Sequence, residues 1–205
     1  FTAGVATAPL AVVRVERALV AATAGTLAAA GADRLPAVVA ASAPSAAHTT
    51  MLVDTTTVSS GGVTMVRVTV RDSLGNVVTT ATPAAVSVTP SGGTLGTFTC
   101  VAGTCSAPFG APATAGPVSL QVAVGGTPLP GAPATIAVTA GPAARLAITG
   151  AATQVAGATQ AITLTAYDAA GNVATTYAGT RSLAFSGALA SPAGNLPTAA
   201  AVAFG

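Results

Sequence analysis

The sequence predicts an all-β chain of tandem β-sandwiches, one complete central domain flanked by two partial repeats. Three observations predict it. A strand-like stretch ending in Asp-x-x-Gly-Asn occurs twice, 96 positions apart (168 − 72 = 96). That offset fits a module of about 100 residues, a common size for a sandwich, within a 205-residue chain. Gly and Pro clusters such as Gly92-Gly93, Gly125-Gly126 and Pro130-Gly131 punctuate the chain at the roughly 8–12-residue spacing of short antiparallel strands.

The first copy of the repeated stretch runs from Val66 to Thr80 and the second from Ile162 to Thr176. In each, apolar residues (Val66, Val68 and Val70, or Ile162, Leu164 and Ala166) alternate with Arg67, Thr69 and Arg71, or Thr163, Thr165 and Tyr167. A period of two puts one face of a strand in a core and the other in solvent. The motif that follows is Asp72, Gly75 and Asn76 in the first copy and Asp168, Gly171 and Asn172 in the second. It is turn chemistry: the Asp carboxylate accepts backbone N–H bonds, and Gly and Asn tolerate the left-handed backbone of a tight reversal. A calcium loop is the rival reading, but calcium takes about six to eight oxygens and each copy offers one carboxylate.

The flanks are read by comparison with the central unit. Before residue 47 the chain shows strand signals over 5–13, 18–23 and 35–41. The Ala-rich stretch 18–32 has helix propensity. Its counterpart 125–139 carries Pro128, Pro130 and Pro133, so strands are favoured there. Residues 1–47 thus read as the closing strands of a repeat, and 42–50 as a linker holding the single His48. The complete domain, 48–142, carries seven strand signals: 51–54, 63–71, 84–89, 96–100, 105–109, 117–124 and 134–139. Seven strands in about 90 residues is an immunoglobulin-like count. Residues 143–205 restart the pattern, with strands expected at 145–150, 161–167 and 182–185, and then stop.

Composition narrows the function. Charged residues are 6% of the chain, against roughly 25% in an ordinary soluble domain. Polarity comes instead from 32 Thr and 12 Ser. Weak charge repulsion favours association between copies or a covering of glycan over such faces as Thr55-Thr56-Thr57 and Thr79-Thr80. The seven basic residues are all Arg and scattered, and aromatics are 3%, so no nucleic-acid surface is expected. Ala18–Ala32 is too short to span a membrane, which takes about 20 apolar residues. One His and five acids per chain assemble neither a catalytic triad nor a zinc site, so no enzyme and no cofactor is expected. Cys100 and Cys105 bracket Val-Ala-Gly-Thr, a four-residue loop that suits a disulfide staple across a hairpin. The rival, a metal or redox pair, has the wrong spacing and no further Cys.

Val-Thr-Val-Arg-Asp-Ser-Leu-Gly-Asn-Val-Val, the later Gly-Gly-Thr-Leu-Gly-Thr-Phe and the closing Gly-Ala-Pro-Ala-Thr-Ile-Ala-Val resemble the bacterial immunoglobulin-like repeats of invasin and intimin type surface proteins, with a filamin-like pattern. The resemblance covers nearly the whole chain. It implies tandem immunoglobulin-like sandwiches, an extracellular or cell-surface location, and a structural role as a stalk, fibre or sheath. The alternative is a carbohydrate- or receptor-binding adhesin module. If the partial repeats at the two ends are completed by other copies or by adjacent repeats of a longer chain, one shared core follows. Val13, Leu19 and Val38 would meet Leu146, Ile148, Ile162, Leu164, Leu183 and Phe185 in it.

Overall fold

A computed structural model describes residues 5, 7–131, 133–196, 198 and 202–205. Its strands, in chain order, are β1 (Glu16–Val20), β2 (Thr23–Ala24), β3 (Leu27–Ala28), β4 (Leu35–Val39), β5 (Thr50–Val53), β6 (Thr57–Ser59), β7 (Val63–Thr69), β8 (Val86–Pro90) and β9 (Thr94–Leu95). They continue as β10 (Thr99–Val101), β11 (Thr104–Gly110), β12 (Gly116–Val124), β13 (Thr127–Pro128), β14 (Ala134–Thr139), β15 (Ala143–Thr149), β16 (Thr163–Asp168), β17 (Gly179–Arg181) and β18 (Val202–Phe204). Helical structure among the described residues is confined to two short 3-10 turns, Gly31–Asp33 and Pro83–Ala85. No helix among them is long and apolar enough to cross a membrane. The chain divides into two compact units: Phe1–Thr56 with Val63–Ala111 and Val118–Ile136, and Thr57–Gly62 with Pro112–Pro117 and Ala137–Gly205.

In the first unit, β7 is the centre of a sheet ordered β10-β11-β7-β5, with β9 also paired to β11. The period-two pattern does what it predicts: Val66, Val68 and Val70 are fully buried, and Arg67 lies outward, where its guanidinium holds Asp54 by two bonds of 2.8 and 2.9 Å. Cys105, Ala107 and Phe109 of β11 and Val118, Leu120, Val122 and Val124 of β12 supply the other alternating buried rows. β12 pairs with β8 and β13. Fully burying side chains of this size contributes roughly 1.5–3 kcal/mol each, which is why the alternation fixes the register so firmly.

Several sequence expectations shift in this unit. The stretch 18–32 forms strands as far as Ala28, β1 pairing antiparallel with β4 and β2 with β3, and then enters the 3-10 turn Gly31–Asp33. Thr7–Val13 is irregular rather than a strand, and residue 6 of that expected strand lies outside the described residues. Pro9 has no N–H to give a ladder, and the Val13 carbonyl is taken by a side chain. Of the expected strand 96–100 only Thr99 and Cys100 are in a strand, β10; β9 lies before it, and Gly96 between the two gives its N–H to Pro108 O at 2.8 Å. The linker 42–50 is docked rather than free. Ala46 and Thr49 are buried, Ser45 N–H bonds to Arg71 O at 2.7 Å, and Arg71 N–H bonds to Thr49 Oγ1 at 3.1 Å. His48 is exposed.

In the second unit, the end of β14 pairs in parallel with β6, Val138 opposite Val58. β6 carries only one apolar residue and gives no period to read. β15 and β16 pair antiparallel from Ala143–Asp168 to Thr149–Thr163. The third strand expected at 182–185 forms instead at Gly179–Arg181, where Val202–Phe204 supplies the partner and Phe204 meets Tyr177 edge-on at 5.0 Å.

Candidate functional site

Among the described residues, the most heavily bonded polar groups are the two Asp-x-x-Gly-Asn motifs, and each lies inside one compact unit. In the first copy, Asp72 Oδ1 accepts from the backbone N–H groups of Leu74 and Asn76, both at 2.9 Å. Asp72 N–H donates to Asn76 O at 2.9 Å and Gly75 N–H to Asp72 O at 3.0 Å, closing the reversal. Gly75 has φ +82°, the left-handed region that a side chain would disfavour. The second copy repeats this geometry. Asp168 Oδ1 accepts from Ala170 N–H at 2.9 Å and Asn172 N–H at 2.8 Å, and Gly171 has φ +94°.

The other oxygen of each carboxylate reaches back along the chain. Asp72 Oδ2 accepts from Ser42 N–H at 3.1 Å and from the Asn76 side-chain amide at 3.1 Å. Asp168 Oδ2 accepts from Gly141 N–H at 2.9 Å, from the Asn172 amide at 2.8 Å and from Ser60 Oγ at 2.9 Å. The two carboxylates are buried, with 1% and 2% of their surface exposed. Burial by itself would raise the Asp72 carboxyl. Donation from the Asn76 side chain and from the N–H groups of Ser42, Asn76 and Leu74 outweighs it and holds the group at about 2. For Asp168 the Asn172 amide is the leading cause; it and the donors Gly141, Asn172 N–H and Ser60 overcome burial and drive the carboxyl further below its ordinary range.

The asparagines reach further still. Asn76 Nδ2 donates to Val13 O at 2.9 Å while its Oδ1 accepts from Val15 N–H at 3.2 Å. Asn172 does the same to Ala113 O at 2.7 Å and Ala115 N–H at 2.8 Å. The motif was legible in the sequence as a turn. Its long-range partners were not, because Val13, Val15, Ala113 and Ala115 offer only backbone atoms to it. The one signal available was positional: the gripped residues are themselves 100 apart (113 − 13 and 115 − 15).

Cys100 and Cys105 form a disulfide and face each other across the β10–β11 ladder. The hairpin loop is two residues, not four: Val101 pairs with Thr104, leaving Ala102 and Gly103 at φ +48° and +83°. Such a double left-handed turn matches the twist of paired strands. At Gly103 a Cβ would collide with the Val77 side chain and Val78 O. Of the residues expected in a shared core, Val13, Leu19, Val38, Leu146, Ile148, Ile162 and Phe185 are exposed in the single chain, and Leu164 and Leu183 are half-buried. Among the described residues, no three His, Cys, Asp or Glu side chains gather as a metal site.

No model of a protein family matches the chain, and no curated protein matches it. Solved structures do. The chain is similar to FdeC, an Escherichia coli adhesin, at 22% identity and a TM-score of 0.52, over 68% of this chain and 46% of that one. It is similar to invasin, a bacterial integrin-binding protein, at 20% identity and a TM-score of 0.54, over 72% of this chain and 32% of that one. The Yersinia pseudotuberculosis adhesin InvE gives 27% identity and a TM-score of 0.48, over 67% of this chain and 39% of that one. This chain spans less than half the length of each. The fold is the immunoglobulin-like β-sandwich that the sequence predicts.

Proposed function

We propose that the chain is a structural repeat module of an extracellular bacterial stalk, fibre or sheath protein, without enzymatic activity, and that it is built from repeats bounded at 1–47, 48–142 and 143–205. Its partial repeats are completed head to tail, by adjacent repeats of a longer chain or by another copy. The observation that carries this reading is a contrast between equivalent positions. Val66 is 0% exposed in the central domain, whereas Ile162, its counterpart 96 residues on, is 37% exposed. Val138 is 4% exposed, whereas Val39, its counterpart 99 residues earlier, is only half-buried.

The same sequence pattern is therefore a closed core in the middle and a partly covered face at the ends. Uncovered apolar faces and free strand edges favour pairing with further strands. A contact of this heterologous kind propagates without closing, which is the geometry of a fibre. Completion places Val13, Leu19 and Val38 against Leu146, Ile148, Ile162, Leu164, Leu183 and Phe185. Thr55, Thr56, Thr57, Thr79 and Thr80 are all exposed, a hydroxyl surface suited to glycan or to neighbouring copies.

Electron microscopy of the native assembly, with the intact mass of the purified protein, tests this reading. It expects regular filaments or beaded stalks. Isolated, monomeric particles at high concentration, with a mass equal to the bare sequence, contradict it.

A further inference from the structure

From the two asparagine contacts we infer that Asn76 and Asn172 are backbone-reading clamps, each acting as a surrogate peptide group that docks a loop segment of the preceding repeat without regard to its side chains. The inference rests on the tandem-repeat boundaries proposed above, but not on assembly by completion.

The geometry is that of a β-ladder. In a parallel ladder a residue donates its N–H to the carbonyl of one residue on the next strand and accepts, at its own carbonyl, the N–H of the residue two further on. Each carboxamide makes this pair of bonds with a side chain: to the carbonyl of residue n and the N–H of residue n + 2, which are 13 and 15 in one copy and 113 and 115 in the other. Asn offers one donor group and one acceptor in a plane, as a peptide does. Asp in its place would lack the donor.

The gripped segments share no residue identity, only an apolar–polar–apolar order. One reads Val13-Arg14-Val15 and the other Ala113-Thr114-Ala115. Their backbones are nevertheless held by the same atoms. The orientation of each carboxamide is fixed by the adjacent Asp, whose Oδ2 accepts from the Asn amide at 3.1 Å in one copy and 2.8 Å in the other. Asp72 and Asp168 also hold the connecting chain at Ser42 N–H and Gly141 N–H, 99 residues apart (141 − 42). One motif thus fastens both the connection and a loop of the repeat before it. A joint that reads only backbone accepts any preceding repeat whose loop takes the same path, so repeats of diverged sequence remain interchangeable along a stalk.

The test is site-resolved amide hydrogen exchange by NMR on the full chain. The Ala174 amide, which bonds to Ala166 O in the same unit, serves as the internal reference. N172A is expected to speed exchange at Ala115 roughly tenfold relative to that reference, the effect of losing one hydrogen bond. N76A is expected to do the same at Val15. The triple substitution A113V/T114R/A115V, which carries the other copy's segment, is expected to leave protection at position 115 within twofold of the wild type. The inference is overturned if N172A leaves Ala115 exchange unchanged, or if the Ala174 reference accelerates equally, which would make Asn172 a turn residue only. Loss of protection in the triple variant overturns it as well, because the side chains would then be what is read.

Discussion

Asp168 Oδ2 accepts the backbone N–H of Gly141, 27 residues earlier in the chain, at 2.9 Å. The Gly141 amide has this carboxylate as its partner in a buried setting, so the connection into β15 is fixed by a turn residue of the hairpin that follows it.

Replacing Asp168 by Ala removes the acceptor for five donor groups at once: Gly141, Ala170, Asn172 N–H, the Asn172 amide and Ser60. Orphaned buried N–H groups are more costly than the mean hydrogen bond is stabilising. D168A is therefore expected to lower the melting temperature clearly more than D33A, whose carboxylate sits on an exposed 3-10 turn. Thermal unfolding followed by circular dichroism checks the order of the two.

Acid should weaken the fold through the same carboxylates. Asp72 is held at about 2 in the folded state against an ordinary value of 3.8, and Asp168 lies lower still. A depressed folded value contributes stability that is complete above the ordinary carboxyl range and is lost as pH falls toward the folded value. Melting temperature should be level from neutral pH down to about pH 5 and then fall steeply between about pH 4 and pH 2. The D72N/D168N double variant, measured over the same range, should start lower and lose that slope.

The Cys100–Cys105 bond closes a loop of small chain entropy. Its removal in C100S/C105S should cost about 2 kcal/mol in denaturant unfolding, on the loop-closure argument. Intact mass without reductant should show no free thiol in the wild type.

Identical truncations separate the central core from the partly covered end faces. Ile136 is fully buried and Ile148 is 58% exposed. I136A should cost about 2–5 kcal/mol, and I148A less than about 0.5 kcal/mol in the single chain. Urea midpoints at constant slope give both values.

What the sequence made legible follows from where side chains carry the signal. The alternation in β7 exposed its core face because Val66, Val68 and Val70 are all buried on one side of a sheet. Asp-x-x-Gly-Asn announced a turn because its chemistry is local. β6 was illegible, since Thr57-Val58-Ser59 has one apolar residue and is positioned by pairing with distant β14. The irregular path of Thr7–Val13 was hidden for a similar reason: Val13 O bonds to a side chain 63 residues later. The linker looked free because Ser, Ala and Pro dominate it, yet small residues are what let Ala46 enter the core. Contacts made by backbone alone leave no mark in the order of side chains.

The most direct test of completion joins two copies of the chain end to end in one polypeptide and follows amide exchange along β15 and β16 of the first copy. The account predicts that residues 1–47 of the second copy cover that face, so that the exposed-edge amides around Leu146, Ile148 and Ile162 gain protection comparable to those of β7. I148A should then become costly in this tandem chain. Exchange in β15 and β16 that is the same in the tandem and the single chain would contradict it.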